Sequence, residues 1–218
     1  METVRISLRG VNAYLVTEGM GEEPSVTLVD AGWRWSASSV RRAVEDAGYA
    51  LEDVERVLVT HYDIDHVGGL ARLASAGLDA PVYAGEPDAS FLDGDEKPSI
   101  RNHKGAFQRL FGLGSRCPLH VERVEDGDDV AGFEVRAVPG HTPGHVVYIR
   151  DDSAFLGDAV REKNGSLELI PSFMSYDTEQ ARESVAKLAE DFEAEKAYVG
   201  HGKPVGNASE RLRALVRA

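Results

Sequence analysis

The sequence predicts one α/β domain, and three observations carry that expectation. Segments rich in branched and aromatic residues alternate with amphipathic stretches through the first half of the chain. Strand-like segments then return through the second half. The 218 residues contain no linker, low-complexity tract or close internal repeat that would divide them, and their length suits a single compact unit with a sizeable core.

Taken in order, "VRISL" and "NAYLVT" read as strands, and "SVTLVDAG" is an apolar run stopped by Gly32. A helix follows, capped near Ser36 or Ser38 and ending at Gly48. Next come the strand "VERVLVT", a helix from about Val67 to Ala76 and the short strand "APVYAG". Residues 86–118 break this rhythm with Pro, Gly and charge, then an amphipathic patch at Phe107–Leu113, and are expected to form an insertion or lid. Strands resume at "FEVRAVPG", "HVVYIR", "AFLGD" and "LELIP". A helix from Thr178 to Phe192, the strand "KAYVGHG" and a final helix from Asn207 complete the chain.

Composition excludes several classes of function. A formal charge of -13 and a pI near 5.0 leave no general basic surface for a nucleic-acid backbone. Such acidity suits a salt-adapted organism and a moderately acidic protein equally. Cys117 is the only cysteine, so an internal disulfide and a thiol-rich metal site are both ruled out, and it reads as a small hydrophobe. No apolar run approaches the roughly 18 to 20 residues that span a bilayer, and "METVRISLRG" does not read as a leader. A cytoplasmic protein without a membrane partner is expected.

The chemistry is concentrated in "VLVTHYDIDHVGGL", which holds His61, Asp63, Asp65 and His66 within six positions. In an extended segment alternate side chains share a face, so His61, Asp63 and Asp65 can point one way, with His66 at the turn into the next helix. Four donors this close cannot all serve one tetrahedral ion. They can serve two, His61 with Asp63 on one and Asp65 with His66 on the other. The plainer alternative is a polar strand end in which Asp65 caps a helix and both histidines are solvated. Three further segments weigh against it: "VPGHTPGH" places His141 after a strand, "AFLGDAV" ends an apolar strand on Asp158, and "AYVGHGKP" ends another on Gly200 and His201.

With these residues in view, the chain resembles the metallo-β-lactamase-fold superfamily of hydrolases, whose hallmark reads T-H-x-H-x-D-H. That family's later P-G-H turn, G-D segment and G-H segment are also matched, and the resemblance covers nearly the whole sequence. It implies a four-layer αβ/βα sandwich with a dinuclear metal site between the sheets. The implied ligands are His61, Asp63, Asp65, His66, His141, Asp158 and His201, with Asp65 and Asp158 catalytic. Asp30, Thr60 and His145 would support them from behind. Asp63 departs from the family's histidine. An added carboxylate takes positive charge off the metal pair, and its harder oxygen shifts preference from zinc towards iron or manganese.

The resemblance implies hydrolysis of a small ester, thioester or lactone by a metal-bound hydroxide, as in relatives of glyoxalase II and lactonases. The alternative is an iron-dependent redox enzyme, sulfur dioxygenase-like or a diiron oxygen-reducing centre. There is no H-E-Y-T-like segment and no long helical C-terminal extension for a glutathione conjugate. Trp33, Trp35, Phe173, Met174 and Tyr176 are candidates to wall a substrate pocket. Arg101 and Lys104 could receive an anionic substrate but read first as solvated charges, and His103 and His120 as ordinary surface or lid residues. The expected partner is a small-molecule substrate, and a homodimer is the default assembly.

Overall fold

The computed structural model describes residues 1–19, 24–111 and 116–217. The first sheet takes its six strands in sequence order: β1 (Glu2–Leu8), β2 (Val11–Glu18), β3 (Ser25–Val29), β4 (Val54–Leu58), β5 (Val82–Gly85) and β6 (Val121–Val124). The first three are antiparallel and the rest parallel. The β1–β2 turn is made by Arg9 (φ 49°) and Gly10 (φ 99°), the left-handed pair that matches the twist of a two-residue hairpin.

The other strands are β7 (Asp129–Val130), β8 (Phe133–Ala137), β9 (Val146–Arg150), β10 (Ser153–Gly157), β11 (Val160–Lys163), β12 (Ser166–Leu169) and β13 (Lys196–Val199). The second sheet runs β13-β10-β9-β8-β7, and β11 with β12 forms a separate hairpin. Seven α-helices are described: α1 (Ala37–Asp46), α2 (Ile64–Val67), α3 (Leu70–Ala74), α4 (Asp88–Asp93), α5 (His103–Phe111), α6 (Thr178–Asp191) and α7 (Ala208–Arg217).

Period-two alternation dictates how these elements stack. In β2, Tyr14 and Val16 enter one core cluster while Ala13 and Leu15 enter another. In the second sheet, Tyr148 and Phe155 join Tyr14 between the sheets, whereas Val147, Ala154 and Leu156 face outward onto Val185 and Leu188 of α6 and Leu212 of α7. Val40 of α1 and Leu73 of α3 cover the outer face of the first sheet. Each sheet is apolar on both faces, so the chain folds as helix, sheet, sheet, helix: the four-layer αβ/βα sandwich.

Some expected boundaries shift. The helix expected at Val67–Ala76 is two short pieces, α2 and α3, broken at Gly68–Gly69. A Cβ on Gly69 would lie 2.2 Å from the Ala31 carbonyl oxygen, so the chain passes too close there for any side chain. The helix after "DAG" is α1, and Ser36 precedes it without making a side-chain cap. Strands β6, β7 and β11 lie outside the expected set. The amphipathic patch at Phe107–Leu113 is helical in α5 as far as Phe111; Gly112 and Leu113 lie outside the described residues. No described helix is long and apolar enough to cross a membrane.

Candidate metal centre

All seven candidate ligands gather at one edge of the sandwich, between the sheets. Strand β4 stops at Leu58, earlier than the sequence suggests, so His61 and Asp63 project from the following loop. Asp65 occupies the first turn of α2 rather than an extended segment, and His66 follows it in the same turn, at the entry to the helix as expected. His141 comes from the loop after β8, Asp158 from the residue after β10, and His201 from the turn after β13.

Ligand atoms of His61, Asp63 and His141 lie within 4.8 Å of one another, as do those of Asp65, His66 and His201. Asp158 stands between the two trios. Its Oδ1 is 3.5 Å from His66 Nε2, and its Oδ2 is 3.4 Å from His141 Nε2 and 3.1 Å from His201 Nε2. Five of the seven side chains are buried; Asp65 and His201 are half-buried.

The residues behind the trios fix how the rings face. Asp30 accepts hydrogen bonds from the Thr60 backbone N–H (2.9 Å), the Thr60 hydroxyl (2.9 Å) and His66 Nδ1 (2.7 Å). With its own proton given to Asp30, the Thr60 hydroxyl accepts from His61 Nδ1 at 3.0 Å. His201 Nδ1 donates to the Gly10 carbonyl at 2.6 Å. These three rings thus commit Nδ1 to a protein acceptor and turn Nε2 inward, whereas His141 Nδ1 is buried without a hydrogen bond. His145 takes part differently: buried, it accepts from the Asp158 backbone N–H at 3.1 Å and holds the base of that carboxylate.

A divalent cation fits this arrangement on one independent observation. His61 Nε2, Asp63 Oδ1, His66 Nε2, Asp158 Oδ1 and His201 Nε2 are buried and make no hydrogen bond. Polar atoms left bare inside a protein are costly, and a set of imidazole nitrogens and carboxylate oxygens converging on two points is what bound divalent ions would satisfy. Gly200 keeps the space open, since a Cβ there would sit 2.1 Å from Asp158 Oδ1.

Electrostatics are set by the same contacts. Burial would raise both Asp63 and Asp158, but the Lys104 ammonium and the His61 ring hold Asp63 well below the usual carboxylate range, and His201 and His66 do the same for Asp158. Burial and the neighbouring His66 push His61 down to about 3. Burial also lowers His201, yet Asp158 outweighs it and lifts that ring to about 9. Asp65 is raised, chiefly by burial.

Two functional groups escaped the sequence reading. Asp88, fully buried after β5, accepts from the Tyr62 N–H (3.0 Å), the Thr142 hydroxyl (2.6 Å) and the Gly144 N–H (2.8 Å). One carboxyl therefore ties the His61 loop to the His141 loop. Lys104 is the second, and here the expectation of a solvated charge is overturned. Its side chain is buried, with Nζ 2.7 Å from Asp63 Oδ2. Arg101, by contrast, is exposed as expected.

The Metallo-beta-lactamase superfamily model matches residues 6–214. The chain belongs to the metallo-β-lactamase superfamily. Among its superfamily relatives in Bacillus subtilis (strain 168), the uncharacterised protein YobT is 31% identical, over 95% of this chain and 89% of that protein. The probable metallo-hydrolase YflN of the same organism is 30% identical, over 92% of this chain and 83% of its own length. A hydroxyacylglutathione hydrolase of Erwinia tasmaniensis is 33% identical over 61% of this chain and 41% of that protein. Among solved structures, TTHA1623 in a di-iron-bound form superposes with a TM-score of 0.69 at 28% identity, covering 96% of each chain. Superfamily membership and the metallo-hydrolase relatives make this protein a metal-dependent hydrolase.

In this superfamily member a cleft of about 590 Å³ opens over the metal centre. Asp63, Asp65, Asp158 and His201 lie at its base, and Trp33, Phe173 and Met174 are among its walls, as the sequence suggested. Trp35 and Tyr176 are not. Trp35 stacks on the outer side of Trp33, ring centroids 4.8 Å apart, and is 59% exposed. Tyr176 packs against the first core cluster and accepts from the Ser99 N–H through its hydroxyl. His103 is exposed, in keeping with a surface or lid residue, and it lines the cleft and contacts the Phe173 carbonyl at 2.9 Å. His120 is exposed and pairs with Glu122.

Proposed function

We propose that this hydrolase cleaves a small ester, thioester or lactone with an apolar acyl part, using both ligand trios with Asp158 shared between them. The cleft carries the reading: its walls are largely apolar, with Arg9 and His103 among them, and its carboxylates lie only where the ligand atoms converge. His61, Asp63 and His141 would hold one divalent ion, and Asp65, His66 and His201 the other. Such ions supply Lewis acidity, which activates water and polarises a carbonyl oxygen.

The chain's own groups do the remaining work. Trp33, Phe173 and Met174 receive the apolar part of the substrate and lay its carbonyl over the base of the cleft. Asp65, half-buried and raised by burial, orients the attacking water and takes its proton. Water adds to the carbonyl carbon, the carbon–oxygen or carbon–sulfur bond breaks, and the proton passes to the departing alkoxide or thiolate. Asp63 in place of an imidazole favours iron or manganese over zinc.

The test is a panel of lactones, acyl thioesters and phosphodiesters, assayed without oxygen on protein reconstituted separately with zinc, manganese and iron. Turnover confined to the carbonyl compounds is expected. Activity on phosphodiesters alone would overturn the substrate class. A second reading, oxygen-dependent chemistry at iron, is favoured by Asp63 and by the di-iron-bound form of TTHA1623. A strict need for oxygen would establish it at the expense of the first.

A further inference from the structure

Helix α5 crosses over the metal centre with two polar side chains turned inward. Lys104 and Gln108, one turn apart on the same face, are 6% and 4% exposed, while Phe107 is 54% exposed. The helix is seated firmly. Asn102 Oδ1 accepts from the Lys104 backbone N–H at 2.9 Å, and Asn102 Nδ2 donates to the Tyr176 carbonyl at 2.9 Å. A Cβ on Gly105 would meet the Tyr176 hydroxyl oxygen at 2.3 Å and the Ser99 carbonyl oxygen at 2.4 Å. Gln108 Oε1 accepts from the Ile64 N–H at 3.3 Å, beside the ligand-bearing α2.

Seated this way, α5 sends the Lys104 ammonium into one of the two ligand trios. Its Nζ lies 2.7 Å from Asp63 Oδ2, 2.7 Å from His141 Nε2 and 3.0 Å from the His141 carbonyl. An ammonium has three protons to donate, and here it meets three acceptors. Two of them, Asp63 Oδ2 and His141 Nε2, are the atoms that converge with His61 Nε2, which is 3.5 Å from Asp63 Oδ2. No contact of Lys104 reaches Asp65, His66 or His201. The two trios therefore differ in what a cation entering them must displace.

We propose that Lys104 is a built-in occupant of the His61–Asp63–His141 position, so that the first divalent ion loads at Asp65–His66–His201 and the second enters only by expelling the lysine. This rests on the reading of the cluster as a two-ion centre. The added carboxylate of Asp63 and the lysine belong together: the carboxylate that departs from the family's histidine is the one that holds the ammonium. Removing a charged group from a buried pair is expensive, which makes the second step much weaker than the first. It also couples the second ion to the lid, because Lys104 cannot leave without shifting α5 or re-aiming its stem into the cleft.

The experiment titrates the metal-stripped full chain with manganese or zinc at fixed pH. Native mass spectrometry counts ions, and chelator competition measures each step. Wild type should bind two ions in well-separated steps. In Lys104→Met, which keeps an unbranched apolar stem without the charge, the second step should tighten by about 100-fold while the first stays within about threefold. Equal second-step affinities would overturn the role of Lys104 and leave the two-ion centre intact. Failure of both proteins to bind any metal would overturn both readings. Wild type gives an independent readout through acetic anhydride labelling. Lys104 should be protected with one equivalent bound and acetylated with two; protection that persists with two ions bound would sink the proposal.

Discussion

Asp30 touches no candidate ligand position from the cleft side, yet the structure makes it the residue on which ring orientation depends. The informative substitution is Asp30→Asn. Asp30 has φ 58°, a left-handed backbone that Asn tolerates and Ala does not, so Asn removes the charge without adding strain. The carboxylate accepts three hydrogen bonds, from Thr60 N, Thr60 Oγ1 and His66 Nδ1. An amide has one oxygen, so whichever way it turns, its NH2 faces a donor. A hydrogen bond to a charged group contributes about 1.5–3 kcal/mol, and its loss leaves His66 free to rotate and Thr60 free to release His61 Nδ1. At 1.36 kcal/mol per decade this is about 10- to 150-fold in metal affinity, which agrees with the cost of roughly 10- to 100-fold seen when the partners behind metal ligands are removed. Chelator competition on metal-stripped protein measures the affinity, and thermal unfolding checks that the fold persists. Affinity within about threefold of wild type, with an unchanged unfolding midpoint, would refute the argument.

Further perturbations probe other links in the same chain. Gly200→Ala places a Cβ 2.1 Å from Asp158 Oδ1 and 2.7 Å from His66 Cε1, so metal content, read by elemental analysis, should drop well below that of wild type while circular dichroism stays native; full occupancy would mean the cradle is roomier than it looks. His61→Ala, Asp158→Ala and His201→Ala should each lower metal occupancy and turnover together, and undiminished turnover in any of them would remove that residue from the centre. Asp88, pushed up to about 7 by burial, holds a proton in the native state that the unfolded chain gives up near pH 3.9. The contribution of Asp88 to the stability of the metal-free protein should therefore fall as pH rises from about 4 to about 7, by on the order of 4 kcal/mol, so that wild type loses about that much relative to Asp88→Asn. Parallel denaturation curves for the two proteins across that range would contradict the assignment.

The parts of the molecule legible in the sequence are those governed by short-range rules. Alternation in "NAYLVT" and "HVVYIR" sorts Tyr14 and Tyr148 to one face and Leu15 and Val147 to the other, and with both faces apolar the sheets had to be covered twice. The clustering of the candidate ligands was legible because each follows a strand or its loop in a short punctuated segment. His66 lies at the turn into a helix as the sequence suggested, whereas Asp65, read as extended, is helical, and a helical turn brings it beside His66 and His201 as well as an extended chain would. The break at Gly68–Gly69 was invisible because it answers to Ala31, a residue far back along the chain.

Asp88 and Lys104 show what a local reading must miss. Asp88 follows the end of β5 as Asp158 follows β10, so the strand-end rule that found one could have found the other; only the bonds to Tyr62, 26 residues back, and Gly144, 56 ahead, reveal its job. Lys104 is harder. In "HKGAFQRLF" ordinary amphipathicity turns Phe107 inward and Lys104 and Gln108 to water. The fold does the opposite, because the surface beneath α5 is not an apolar sheet face but a carboxylate and an imidazole in need of a cation. Phe107, turned away from that surface, joins the apolar lining of the cleft. A helix that buries Lys104 and Gln108 and leaves Phe107 exposed departs from the usual pattern, and such departures concentrate where function is built.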